Sequence, residues 1–196
     1  MMEGVLIVGA GGHGRSVAEA LLLDGKYRLA GFVDDGWPDV KEVWGYPVLG
    51  GIGEIEVCRE RARYVIVAIG NNETRERLHA RILAAGFELV TVIHPRAFVS
   101  PRATLEAGCA VMAGAVIGTE AALGEGVIVN CGAIVDHHCR VFAFGHLGVG
   151  ACMAGGSMLG HGAWMQAGAA LGYGVCVAAG EVLAPGAARS VKMEKQ

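Results

Sequence analysis

The segment "VDHHCRVFAFGH", Val135 to His146, gathers three histidines and an aspartate within twelve residues. Imidazole titrates near neutral pH, so a histidine can take a proton from a reacting group under cellular conditions. Three histidines beside Asp136 could form a general base with an orienting partner, or a metal site. As the four letters "DHHC" they also spell the signature of integral-membrane palmitoyltransferases. The choice depends on the elements that carry them.

Those elements obey a period of six. From Ile93, steps of six reach Val99, Leu105, Val111, Ile117, Leu123, Val129, Val135, Val141, Leu147, Met153, Leu159, Met165, Leu171, Val177 and Leu183, every one aliphatic or Met. Four residues after each anchor stands a small or β-branched residue, Glu181 alone excepted. Glycine recurs one or three places after the anchor, as in "LGEGVI" and "LGHGAW". An aliphatic anchor with a small second residue predicts a left-handed parallel β-helix, three hexads to a triangular coil. The run holds a little over five coils, ~25 Å tall at ~4.8 Å between stacked strands. Cys109 and Cys139 fall in the small register, so the last letter of "DHHC" is read as an inward-facing filler.

Residues 1–92 follow a different rule. "VLIVGA" predicts a strand, "GGHGRSVAEALLLDGK" a glycine-rich loop and a helix ending near Gly25, and "RLAGFVDD" a second strand closed by two acids. "GGIGEIEVCRERA" predicts a helix, "YVIVAIG" a strand, and "NNETRERLHARILAAGF" a helix capped by Asn or Thr. Alternating strands and helices define a small α/β, Rossmann-like domain with a parallel sheet. Gly9, Gly11 and Gly14 fit the G-x-G-x-x-G spacing, with Asp34 and Asp35 about twenty residues on. Three or four strands are too few for both halves of a dinucleotide site. A site for a phosphorylated or nucleotide ligand at the helix N-terminus remains, with a packing-only domain as the alternative. The expected organisation is thus 1–92 Rossmann-like, 93–188 β-helix, and 189–196 a frayed tail.

Bulk properties narrow the function further. Glycine is 32 of 196 residues, more than twice its ordinary share, yet 53% of the chain is hydrophobic, which favours a tightly turning repeat over disorder. A net charge of −3 without a long basic run argues against nucleic-acid or anionic-membrane partners. No apolar stretch approaches the ~20 residues of a membrane span. The six cysteines form no C-x-x-C pair, and a cytoplasmic protein with reduced thiols is expected. That setting disfavours the palmitoyltransferase reading.

With "GAGGHG", "FVDD", "AIGNNETR", "IHPRAFVSP" and "NCGAIVDHHC", almost the whole chain resembles the bacterial nucleotide-sugar acetyltransferases of the PglD/NeuD type. The closest pattern is that of N-acetyltransferases acting on the amino group of a UDP-4-amino-4,6-dideoxy sugar; sialic-acid O-acetyltransferases are a sister branch. The resemblance implies a homotrimer with acetyl-CoA between neighbouring β-helices, active sites between subunits and no metal. It implies His137 as general base, His146 near the thioester, and Gly155 presenting its N–H to the thioester oxygen. It further implies Asn130 beside the sugar, Ala167 on the pantetheine arm, and Gly12, His13, Asp34, Asp35, Asn71 and Asn72 on the nucleotide-sugar side. One departure stands out: the relatives carry an acid after the base, where this chain has His138 and displaces the acid to Asp136, and both are kept as catalytic candidates. Consecutive residues of an extended chain face opposite ways, so His138 cannot simply reproduce that acid's role; either Asp136 contacts His137 after local adjustment or another group does. The nucleotide, whether UDP, GDP or CMP, is open at this level.

The remaining histidines have plainer readings. His79 is expected to face solvent, His94 to be structural at the domain junction, and His161 to be an outward polar residue of its hexad. A trimeric β-helix of the γ-carbonic-anhydrase type would need three histidines spaced for zinc, which these positions do not supply. A non-catalytic trimeric scaffold is the alternative of another class.

Overall fold

The structure, a computed structural model, describes residues 2–190. Four parallel strands form the N-terminal sheet in the order β2 (Arg28–Val33), β1 (Gly4–Val8), β5 (Tyr64–Val67), β6 (Glu88–Leu89). A short hairpin, β3 (Glu42–Val43) and β4 (Tyr46–Pro47), follows β2. Helix α1 (Gly12–Asp24) stops at Gly25, whose φ of 69° closes the helix in the left-handed region. Helix α2 (Asn72–Ala84) is capped by Asn71, whose side-chain oxygen accepts the Thr74 N–H. The helix expected over "GGIGEIEVCRERA" is instead a 3₁₀ stretch, Ile52–Glu60, broken by non-helical backbone at Glu54. Gly51 and Gly53 both stand at the N-terminal end of this short segment and weaken helix nucleation there.

The second half is a left-handed parallel β-helix of two-residue strands stacked into three faces of six, six and five strands. The first face runs from Val92–Ile93 to Val182–Leu183 and the second from Phe98–Val99 to Ala188–Arg189. The third runs from Thr104–Leu105 to Cys176–Val177. Strands i and i+18 pair, as Ile134 with Cys152 and Val135 with Met153. Anchors and small residues fill the prism together, Val135, Cys139, Leu147 and Met153 among them. Arg189 still pairs with Leu171. The tail expected from residue 189 therefore begins inside the last strand, and residues 191–196 lie outside the described residues.

From the anchor Leu105 onward, each corner turns through a left-handed residue three places after the anchor. Glycine holds this position in most coils, Gly156 (φ 68°) and Gly174 (φ 66°) for example. Glu120 (φ 59°), His138 (φ 58°) and Phe144 (φ 57°) hold it without being glycine, a conformation that costs an ordinary residue about 1–2 kcal/mol. Phe144 is compensated by packing: its ring lies edge-on to His79 in the domain junction, and its carbonyl accepts Arg75 Nη2.

The N-terminal domain covers the first face of the prism. Val17, Ala18 and Leu21 share one apolar cluster with Val92, Ala110, Met112 and Ile128. Arg75 of α2 is fully buried and donates to the carbonyls of Gly126 and Phe144 in the prism and of Ile69 in its own domain. His79, expected in solvent, is 1% exposed and bonds Glu125 across the junction. Arg75 and His79 are buried because this helix docks on a prism corner, where turn carbonyls and a carboxylate need partners.

Candidate functional site

Two clusters emerge, on different parts of one chain. The first stands at the corner between the second and third faces, in the turn Asp136–Cys139. His137 projects there, half exposed, with its ring directly over Gly155, the residue one coil later. A Cβ on Gly155 would lie 2.5 Å from His137 Nε2, so only glycine leaves the ring its place. The Gly155 carbonyl accepts from Gly174 N–H, whereas its own N–H has no acceptor among the described residues. Base and free donor thus share one corner, the imidazole half exposed and Gly155 buried beneath it.

The expectation that His138 points away from His137 is overturned. Residues 136–139 are a turn and not extended chain, and the left-handed backbone at His138 swings its side chain towards its neighbour. The two rings meet edge-on at 5.2 Å between centroids, with Nδ1 to Nδ1 at 3.0 Å. Asp136 is occupied otherwise: Oδ1 accepts the His137 backbone N–H at 2.7 Å, and Oδ2 stands 3.7 Å from Nε2, beyond a hydrogen bond. Cys139 is an inward filler as expected, its thiol directed at Ala154 O and Ser157 Oγ inside the prism. Burial pushes the Cys109 thiol up to about 12. Among the described residues, no three His, Cys, Asp or Glu side chains gather as a metal-ligand set.

The second cluster lies where the N-terminal domain meets the first face. His146 is 7% exposed there, stacked on Trp164 at 5.2 Å, with Nδ1 3.2 Å from the Gly70 carbonyl. Burial, with the nearby Arg75 charge and His13, drives its pKa down to about 3. His13 falls to about 4 for the first two reasons, and its Nε2 is buried without a partner among the described residues. Within one chain the fold therefore brings His146 to His13, and places both away from His137.

The other residues expected on the nucleotide-sugar side hold this domain's loops. Asp34 accepts from the backbone N–H groups of Ala10 and Gly36, at 2.7 and 2.8 Å, tying the glycine loop to the end of β2. Asp35 accepts the Ile52 N–H, and Asn72 Nδ2 donates to the Gly162 carbonyl. Gly14 lets α1 close on Gly9, whose carbonyl a Cβ would strike, while Gly11 and Gly12 have open space where a side chain would be. The N-terminus of α1 has no side-chain cap and carries the open anion-binding geometry of such loops. Asn130 and Ala167 sit at a third place, the edge between the first and second faces, and Asn130 Oδ1 accepts the Cys131 N–H. His161 bonds Glu76 of α2 and lines, with Asn72 and Trp164, a cleft of about 540 Å³ at the junction. His94 Nδ1 accepts the Arg96 N–H and steadies the first turn of the prism. Glu120, Arg75 and Trp164 escaped the sequence reading. The rule that position i lies under i+18 would have found Glu120 beneath His138.

The neutral histidines give a stability prediction. Both folded pKa values lie below the ordinary 6.5, so between about pH 3 and 6.5 the unfolded chain binds more protons than the folded one. Stability therefore falls as pH falls through this window and is level above it. Thermal melts from pH 7.5 to 5 are expected to show a falling midpoint, and His146→Phe, which keeps the stacking, to flatten that fall. A midpoint that rises on acidification would contradict the burial of these rings.

A Rossmann-like domain followed by a left-handed β-helix of hexapeptide repeats is the architecture of the PglD-like acetyltransferases. Residues 4–82 match the family described as the PglD N-terminal domain. UDP-N-acetylbacillosamine N-acetyltransferase of Bacillus subtilis (strain 168) is 31% identical over 116 residues, a stretch spanning 55% of this chain and 50% of that protein. The acetyltransferase domain of PglB from Neisseria gonorrhoeae FA1090, solved with acetyl coenzyme A, superposes with a TM-score of 0.89 at 34% identity, covering 97% of this chain and 94% of that one. PerB from Caulobacter crescentus, solved with CoA and GDP-perosamine, gives 0.84 at 38% identity over 97% and 93%. The chain belongs to the PglD-type nucleotide-sugar acetyltransferases.

Proposed function

We propose that the protein transfers acetyl from acetyl-CoA to the amino group of a nucleotide-linked 4-amino-4,6-dideoxy sugar, with His137 as general base. The observation that carries this reading is the corner where His137 Nε2 lies beside the Gly155 N–H, which has no acceptor among the described residues. As the amine nitrogen attacks the thioester carbonyl, His137 Nε2 takes a proton from that nitrogen. The oxygen that gains charge accepts the Gly155 N–H, a contact worth roughly 3 kcal/mol in measured cases. Collapse breaks the C–S bond, the CoA sulfur leaves with the proton, and an amide remains. No acyl-enzyme is needed, in keeping with a buried Cys139. The relatives support both UDP and GDP as carrier: the Bacillus protein is named for a UDP sugar, and PerB was solved with GDP-perosamine.

The assembly belongs to the same proposal. The second face exposes an uncharged column, Phe98, Val116, Ile134, Cys152, Ala170 and Ala188, with Phe98 60% and Ile134 39% exposed. Asn130 and Ala167 border it on one edge, His137 and Gly155 on the other. We assign this face to contact with other copies in a homotrimer, which would bring the His137 corner of one chain to the His13–His146 cluster of another. Ile134→Arg is expected to give monomers by light scattering and to reduce turnover more than ~100-fold while the fold persists. A trimeric Ile134→Arg would remove this face from the interface. The reading keeps the cytoplasmic setting expected above.

Release of free CoA, followed with a thiol reagent, tests the activity. Release that depends on a UDP- or GDP-linked amino sugar supports it. Release only with hydroxyl acceptors would favour the O-acetyltransferase branch, and release with none would favour a scaffold.

A further inference from the structure

We propose that Glu120 and His138 together replace the missing acid as a two-step relay that sets the tautomer of His137. The inference rests on His137 being the base. Glu120 occupies the corner position directly beneath His138, one coil earlier, and its Oε2 lies 2.9 Å from His138 Nε2. His138 Nδ1 in turn lies 3.0 Å from His137 Nδ1. A carboxylate accepts only, so His138 Nε2 carries the proton that it donates to Glu120. Neutral His138 then has a bare Nδ1, which accepts the His137 Nδ1–H. The lone pair of His137 is left on Nε2, on the side of Gly155.

The same chain handles the proton. When Nε2 of His137 takes a proton from the amine, its Nδ1–H can pass to His138 Nδ1. The positive charge then rests on His138, against the Glu120 carboxylate, and no atom is gained or lost. Asp136 cannot do this, because its near oxygen is held by the His137 backbone and its far one is 3.7 Å from Nε2. Backbone cost points the same way. Glu120 and His138 are exposed and left-handed, without the packing that compensates Phe144, and the next two coils of this corner use Gly156 and Gly174. Strain held at exposed positions without a packing reason marks a functional constraint.

Glu120→Gln keeps the shape and removes the charge. It is expected to lower kcat at least about tenfold and to leave KM nearly unchanged, as loss of an orienting carboxylate does. In a His138→Glu background, which puts an acid directly beside His137, Glu120→Gln should cost nothing further. Glutamate already tolerates this turn geometry at position 120, so the background should fold. Glu120→Gly should raise the melting midpoint by about 2–4 °C while losing the same activity, which a structural role would not produce. Turnover within about twofold of wild type for Glu120→Gln, or an equal loss in both backgrounds, would overturn the relay and leave His137 as base. Near-native turnover of His137→Ala would overturn both.

Discussion

His137→Ala is expected to lower kcat at least ~100-fold, while the protein keeps its size and melting midpoint. The magnitude is that of a lost general base. The ring is half exposed at a corner and stands outside the apolar core of the prism, so removing it leaves that core intact. The Nε2 lone pair disappears with it, and the amine must shed its proton to water. Steady-state kinetics beside light scattering and a thermal melt read the three quantities together. Turnover close to wild type, with the assembly intact, would remove His137 from the mechanism.

Gly155→Ala is expected to be nearly as damaging, for a geometric reason. Gly155 is outside the left-handed region, so its backbone accepts alanine. The added methyl would stand 2.5 Å from His137 Nε2 and would push the imidazole off the corner. Displacing a reacting group by about 1 Å costs on the order of a hundredfold in rate. Gly156→Ala next door is the matching control. Gly156 is left-handed at φ 68°, and open space surrounds the place where its Cβ would be. That variant should lose about 1–2 kcal/mol of stability and retain most of its turnover. If Gly155→Ala turned over like wild type, the ring would not need the place it occupies.

The prism was legible because a six-residue rhythm leaves one inward anchor per strand, and no other fold needs that rhythm over so long a run. The same frame placed Cys139 inside before any coordinates. Contacts between coils were legible in principle, since stacking is a matter of adding eighteen: His137 falls under Gly155 and Glu120 under His138. What the rhythm cannot show is which face another domain will cover. His79 and Arg75 look like surface residues of α2, because their partners are corner carbonyls and Glu125, far away in sequence. His146 and His137 look like neighbours nine residues apart, yet half a coil of turning separates them onto different parts of the prism. Local backbone was the other blind spot. A dipeptide read as extended chain sends His137 and His138 apart, whereas a left-handed turn brings their rings into contact.

The most direct measurement is the mass and linkage of the product. Purified protein, acetyl-CoA and UDP- or GDP-linked 4-amino-4,6-dideoxy sugars should yield one nucleotide sugar heavier by a single acetyl group. That group should survive mild base, as an amide does and an ester does not, and one CoA should be freed for each acetyl gained. An unchanged mass across the panel, or an acetyl lost in mild base, would contradict amide formation at the His137 corner.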